Sequence, residues 1–238
     1  MKLDILAFAA HPDDVELSSS GTLIKAVKAG KKAGIVDLTR GELGTRGTPE
    51  IRDQEAAASA KIMGLSAREN LRFRDGFFEN DEAHQLEMIK MIRKYQPDIV
   101  LANAFDDRHP DHGRGSQLAK DACFKAGLKM IETELDGEKQ QKWRPRVVYH
   151  YIQSIPRVPD FIVDVSDVWE QRVESVKAFK SQFFDPLSEE DSTYISSPMF
   201  LRMIEARAIE YGHLVGGKYG EGFNVERVPG VDDIFDLR

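Results

Sequence analysis

Short apolar runs rich in β-branched residues alternate along this chain with longer stretches whose apolar positions recur every three or four residues. LDILAFAA (3–10) reads as a buried strand, and the following GTLIKAVKAGKK places Leu23, Ile24 and Val27 on one helical face. AGIVDLT (33–39) predicts a second strand, and the Ala-rich stretch 51–63 a helix stopped by Gly64. NLRFRD (70–75) predicts a third strand, a helix over 82–95 halts before Pro97, and DIVLANA (98–104) is a fourth strand bounded by Pro and Asp. A helix over 113–134, a polar loop over 135–145, strands in RVVYHYIQ and FIVDVS, and helices near 167–183 and 198–212 complete the pattern. From about residue 212 the chain is Gly-rich and weakly periodic, which predicts an ordered cover or a partner contact.

Strands alternating with helices predict an α/β fold: a Rossmann-like, mostly parallel sheet flanked by helices. The 238 residues suit one domain over 1–238. In such sheets ligands bind beyond the carboxyl ends of the strands, near the point where strand order reverses. The loops after the first, second and fourth strands are therefore the ones to inspect.

The first of these is His11-Pro-Asp-Asp14. An imidazole and two carboxylates offer donors suited to zinc or ferrous iron, and Pro12 stiffens the backbone between them. The simpler reading is a helix start, with Asp13 and Asp14 capping and complementing the dipole. The loop after the fourth strand, NAFDDRHPDHGRG, changes the balance. It repeats His-Pro-Asp and puts His109 and His112 in one four-residue window with Asp111 between them. If the first and fourth strands are neighbours, one His and one carboxylate from the first loop and one His from the second form a three-ligand site with an open position. The remaining acid could then act as a base, and the remaining His, held charged by Asp111, as an acid or oxyanion partner. Spacing leaves open which Asp and which His bind the metal. The loop RGELGTRGTPE (40–50) reads G-x-x-G-x-x-G rather than the dinucleotide fingerprint, and it follows the second strand. Arg52 opens the next helix, placed either to pair with Glu55 or to meet a substrate.

Charge and cysteine content narrow the class. A net charge of −7 spread along the chain lacks the basic stripe of a nucleic-acid protein, so no nucleic-acid partner is expected. No apolar run approaches the ~20 residues of a membrane helix, so no membrane partner is expected. Cys123 has no partner for an intrachain disulfide, and the start MKLDILAFAA lacks a cleavage-site pattern; together they predict a cytoplasmic protein.

At these residues the chain resembles the zinc-dependent LmbE-like, or PIG-L-type, N-acetylglucosamine deacetylases. The resemblance rests on HPDD at 11–14, RDQEAAASAKIMG from Arg52 to Gly64 and HPDH at 109–112, in the family's order. HPDDVE, GTLIK, KAFKSQF (177–183) and VGGKYGEGFNVER look most like the branch of bacillithiol biosynthesis, which deacetylates N-acetylglucosaminyl-malate. The resemblance implies one divalent metal, Zn2+ or alternatively Fe2+, held by His11, Asp14 and His112. It implies Asp13 as the general base and His109, oriented by Asp111, as acid or oxyanion stabiliser. It implies Arg52 as a substrate contact, a small anionic sugar conjugate as partner, and a homo-oligomer, trimer or hexamer. Mycothiol-type relatives carry a tyrosine two places before the first His of HPDH, where this chain has Asp107, so the oxyanion donor must come from elsewhere. Arg108 and Tyr194 are candidates, and Arg40, Arg46, Arg52 and Arg108 are expected to converge on a dianionic malate group. Alternative functions are deacetylation of a chitobiose-like or mycothiol-precursor substrate, a metal-dependent phosphoesterase, and a non-enzymatic sugar-binding module.

The remaining histidines lack ligand spacing: His84 reads as a surface residue, His150 as a satisfied core imidazole, and His213 as lying near the Gly-rich ending. Cys123, Trp143 and Trp169 read as packing residues. Ser18, Ser19 and Ser20 offer either hydroxyls to a sugar or small residues for a tightly packed helix.

Overall fold

In the computed structural model, which describes residues 1–183, 186–187 and 189–236, the chain alternates strand and helix from the start. β1 (Ile5–Ala9), α1 (Asp14–Lys28), β2 (Ala33–Thr39), α2 (Pro49–Met63), β3 (Ala67–Phe73), α3 (Glu82–Tyr95), β4 (Ile99–Ala102) and α4 (Pro110–Ala126) form the first half. A short hairpin, β5 (Glu134–Leu135) and β6 (Glu138–Lys139), leads to β7 (Val147–Tyr151), β8 (Phe161–Asp164), α5 (Trp169–Lys177), α6 (Phe200–Leu214) and β9 (Gly220–Val225). The main sheet has seven strands in the order β3-β2-β1-β4-β7-β9-β8. Every pairing from β3 to β7 is parallel, and β9 runs antiparallel between β7 and β8. The expected mostly parallel α/β sheet is therefore present, with β1 and β4 as neighbours at the reversal of strand order.

The period-two pattern of β1 explains why helices cover both faces. Leu6 and Phe8 pack with Met88, Ile92, Leu118 and Ala122 of α3 and α4. Ile5, Ala7 and Ala9 pack with Leu23 and Ile24 of α1, Trp169 of α5 and Ala208 of α6. A third cluster joins Leu17 of α1 and Phe200 of α6 with Phe179 and Phe183, which follow α5. Cys123 is buried in the α3–α4 core, where burial pushes its thiol up; it packs there as a small apolar group.

Several boundaries differ from the sequence expectation. β3 begins at Ala67 because its charged residues have partners: Arg68 reaches Asp37, and Glu69 accepts from Lys94. α4 starts at Pro110 and ends at Ala126, where Gly127 turns the chain, so residues 127–134 are not helical. α5 stops at Lys177 after a 3₁₀ turn over Ser166–Val168. The Gly-rich ending is not a cover but contains β9, inside the sheet. Its glycines permit close approach, since a Cβ at Gly222 would lie 2.7 Å from the Tyr211 ring. Between them Glu221 turns inward and accepts from the backbone N–H groups of Gly21 and Thr22. Of the segment 185–198, Asp185 and Ser188 lie outside the described residues, as do Leu237 and Arg238. Among the described residues no helix is long and apolar enough to cross a membrane.

Candidate metal and hydrolytic site

The carboxyl ends of β1 and β4 release the two His-Pro-Asp segments side by side. The segments are used differently. After β1, Asp13 takes φ 112° and ψ −24°, and α1 opens at Asp14. A non-glycine residue in this region costs roughly 1–3 kcal/mol. Asp13 occupies the N-cap position but its side chain makes no cap bond, so capping does not account for that carboxylate. After β4 the helix begins one residue after the histidine: His109 is the N-cap, its Nδ1 accepts from the Asp111 backbone N–H at 3.3 Å, and Pro110 is the first helical residue.

The three imidazoles meet. Ring centroids lie 4.6 Å apart for His11 and His109, 5.5 Å for His11 and His112, and 5.3 Å for His109 and His112. Asp14 faces two of them: its Oδ1 lies 3.1 Å from His112 Nε2 and its Oδ2 3.6 Å from His11 Nδ1. Its carboxylate also accepts from the His11 backbone N–H, Asn103 Nδ2 and Gln153 Nε2 at 2.9–3.0 Å. Arg52 donates to the Pro12 carbonyl and lies 3.3 Å from Asp13 Oδ2. Gly41 backs that guanidinium with φ +66°, where a Cβ would come within 3.2 Å of it.

Burial pushes the Asp13 carboxyl up to about 7, although the Arg52 guanidinium pulls it down. Its neighbour goes the other way: burial opposes charge on Asp14, but His112 and His11 hold it well below the usual carboxylate range. His112 is raised to about 9 against burial by Asp14 and Asp107, and His11 is raised against burial by Asp111, Asp14 and Asp75. His109 is lowered by burial and by the other two imidazoles. Adjacent carboxylates driven apart in this way mark a division between an acid-base group and a permanently charged one.

The donor set fits a divalent cation of the zinc or ferrous type. Among the described residues, His11 with His109 and His112, and His11 with Asp75 and Asp111, have ligand atoms within 4.8 Å of one another, and Asp14 adjoins the first group, 3.1 Å from His112 Nε2 and 3.6 Å from His11 Nδ1. Asp13, Asp14, Asp75, Asp107 and Asp111 are all at most 8% exposed, and among the described residues their only arginine ion pairs are Arg52 with Asp13 and Arg114 with Asp111. So much buried negative charge around imidazole nitrogens calls for a cation.

A cavity of about 1120 Å³ opens over these groups. It brings together His11, Asp13, Asp14, Arg52, Arg108, His109, His112 and Tyr194. Arg108 lies over the Tyr194 ring at 4.3 Å. Arg46 is elsewhere: its guanidinium is buried against Glu190, and it does not line the cavity. Arg40 is likewise turned away, onto Asp53 and Glu50. Asp111 does not hold the His109 ring through its carboxylate. That carboxylate lies 3.4 Å from His11 Nε2 and accepts from the Gly76 N–H and Arg114. Ser18 lines the cavity, whereas Ser19 and Ser20 bond back to helix carbonyls. His150 is bonded through Nδ1 to Ser116 and the Asn103 carbonyl, and its Nε2, without a hydrogen bond among the described residues, lies 3.7 Å from Glu226 Oε1.

Sequence reasoning missed Asp75, the contacts of Asp107, the amides of Asn103 and Gln153, and the cavity arginines Arg157 and Arg207. Asp75 had one visible signal, an Asp-Gly pair just past a strand end, but nothing in the spacing ties it to His11.

The family whose sequence pattern the chain matches is PIG-L, GlcNAc-PI de-N-acetylase, over residues 6–123, the stretch that carries both histidine clusters. The diacetylchitobiose deacetylase of Thermococcus kodakarensis is 30% identical over 239 residues, covering 95% of this chain and 84% of that protein. Among solved structures, the conserved protein TT1542 from Thermus thermophilus superposes with a TM-score of 0.87 at 34% identity, covering 98% of both chains. The N,N'-diacetylchitobiose deacetylase from Pyrococcus horikoshii, complexed with its inhibitor MPG, superposes with a TM-score of 0.79 at 26% identity, covering 93% of this chain and 82% of that one. The chain belongs to the PIG-L de-N-acetylase family.

Proposed function

We propose that this protein hydrolyses the N-acetyl group of an N-acetylglucosaminyl conjugate, releasing acetate and the free glucosaminyl amine. The observation that carries this reading is the meeting of HPDD and HPDH at neighbouring strand ends, with the Asp13 side chain making no cap bond and buried beside Arg52. His11, Asp14 and His112 would hold one divalent cation, Zn2+ or Fe2+. When bound, such an ion supplies Lewis acidity to water and to the acetyl carbonyl.

The rest falls to the chain. Asp13, raised toward neutrality, takes the proton of the attacking water and returns it to the departing amine. Arg52 orients Asp13 through its contact with Oδ2. Because His109 Nδ1 accepts from a backbone N–H, the neutral ring carries its proton on Nε2. It therefore serves as a hydrogen-bond donor to the developing oxyanion, the role that Asp107 at the tyrosine position leaves unfilled.

For the aglycone, the malate conjugate of bacillithiol biosynthesis is favoured by the cavity's charge. Besides the histidine cluster and Arg52 it presents Arg108, Arg157 and Arg207 with one further acid, Glu210, and arginine grips carboxylates bidentately. A neutral chitobiose-like substrate is the second reading, favoured by Phe77 and Tyr194 in the cavity lining and by the named activity of two relatives.

Acetate release from the malate conjugate, diacetylchitobiose and N-acetylglucosamine, with metal removed by chelation and restored as Zn2+ or Fe2+, tests the reading. Activity should vanish on chelation and return with metal, highest on the malate conjugate. No acetate from any N-acetylglucosaminide in metal-restored protein would overturn it. Arg108→Ala should raise KM for the malate conjugate by about tenfold or more, since a charge-assisted contact contributes roughly 1.5–3 kcal/mol, with KM for diacetylchitobiose unchanged. Equal effects on both substrates would remove Arg108 from aglycone recognition.

A further inference from the structure

We infer that each histidine of the proposed metal site is oriented from behind by carboxylates, His112 by Asp107 and His11 by Asp75 with Asp111, and that the two rings consequently offer different nitrogens to the ion. This rests on the ligand set proposed above and adds the residues that pre-organise it. His112 Nε2 faces Asp14 while its Nδ1 lies 2.6 Å from Asp107 Oδ2. The other oxygen of Asp107 accepts from the Ile155 N–H at 2.7 Å, which ties the loop after β4 to the loop after β7. His11 is reversed: Nδ1 faces Asp14, and Nε2 lies 3.0 Å from Asp75 Oδ1 and 3.4 Å from Asp111 Oδ2. Asp75 Oδ2 is held by the Leu43 N–H, and Asp111 by the Gly76 N–H and Arg114.

An ionised carboxylate only accepts, so the ring nitrogen facing it must carry the proton and the lone pair falls on the other one. In both rings the nitrogen left over is the one turned toward Asp14. The structure therefore assigns His11 Nδ1 and His112 Nε2 as metal donors, with Asp107, Asp75 and Asp111 as positioning residues. Outer partners of this kind raise ligand basicity, and their loss typically weakens metal binding by about 10–100-fold. Asp107 also explains the departure from the tyrosine of mycothiol-type relatives: its carboxylate is turned onto His112 and Ile155, and it is not among the residues lining the cavity.

The test is Zn2+ affinity by chelator competition on the full chain, together with long-range 1H–15N spectra of the zinc-loaded protein, which distinguish the two tautomers. Asp107→Asn is close to isosteric but presents an NH2 group either to His112 Nδ1 or to the Ile155 N–H. It should weaken Zn2+ by about 10–100-fold, and Asp75→Asn should do likewise through His11. Asp106→Asn, a neighbouring exposed residue paired with Arg157, should leave affinity unchanged. In the wild-type spectrum His11 should carry its proton on Nε2 and His112 on Nδ1. Affinities of Asp107→Asn and Asp75→Asn within about twofold of wild type, or the opposite tautomer at either ring, would overturn the inference while leaving the deacetylase reading standing. Wild-type protein that takes up no Zn2+ would overturn both. Where a variant fails to fold, as thermal unfolding would reveal, the wild-type tautomers alone decide.

Discussion

Asp13→Asn should lower acetate release by about 10²–10⁴-fold, the range general base catalysis contributes, while the zinc bound per chain stays the same. Asn keeps the side chain's shape and is among the few residues that tolerate positive φ, so the φ of 112° at this position is preserved. What it removes is the ability to accept a proton. Asp14→Ala should behave oppositely, releasing the metal, because the Asp14 carboxylate faces both His11 and His112. Metal analysis beside single-turnover acetate release checks both variants. Loss of zinc from Asp13→Asn with retention in Asp14→Ala would exchange the two roles and overturn the assignment.

Arg68→Met should destabilise the fold by about 3–5 kcal/mol, the usual penalty for stripping one partner from a buried ionic cluster. Arg68 holds Asp37 through Nε and Nη2 at 2.8 and 3.0 Å and also reaches Glu16. Glu16 and Asp37 are at most 1% exposed, and among the described residues Ser59 is the only other side chain that donates to the Glu16 carboxylate. Glu16 lies two residues beyond Asp14, so this cluster pins the start of α1 to β2 and β3. Burial already raises the Asp37 carboxyl, with Arg68 pulling it back down. Without Arg68 the folded-state pKa rises further. A raised carboxylate contributes stability below its unfolded pKa and loses it as pH climbs through the folded value. The deficit of Arg68→Met should therefore be smaller near about pH 4–5 than near about pH 8. Urea unfolding at both pH values measures it, and a penalty below about 1 kcal/mol, the range of a surface pair, would show that the cluster is not structurally required.

The residues contributing to these two results were legible to different degrees. Asp13, Asp14, His109 and His112 stood out because strand-end loops in a β/α repeat are short and local, and the three acids and three imidazoles of HPDD and HPDH exceed what capping needs. Arg68 did not, because a charged residue in RENLRF reads as solvent-facing until its partners on β2 and α1 are known. Arg46 and Arg40 read as ligand arginines from their Gly-rich loop, yet each is taken up by an acid: Glu190, 144 residues away, for Arg46, and Asp53 and Glu50 for Arg40.

What the chain's own order determined was the alternation of strand and helix, the parallel sheet and the placing of both histidine clusters at strand ends, since hydrophobic period, proline and glycine act within a few residues. Tertiary structure decided the rest. Gly220 and Gly222 carry no apolar period, so only packing against Ile162 and Tyr211 reveals β9 as a strand inside the sheet. Asp75, Asp107, Asn103 and Gln153 reach the site from separate stretches of chain, and His11 chooses Asp75 across 64 residues. Local propensity holds no record of such contacts. They exist because the sheet brings the ends of β1, β3, β4 and β7 to one edge, where buried imidazoles and carboxylates must satisfy one another.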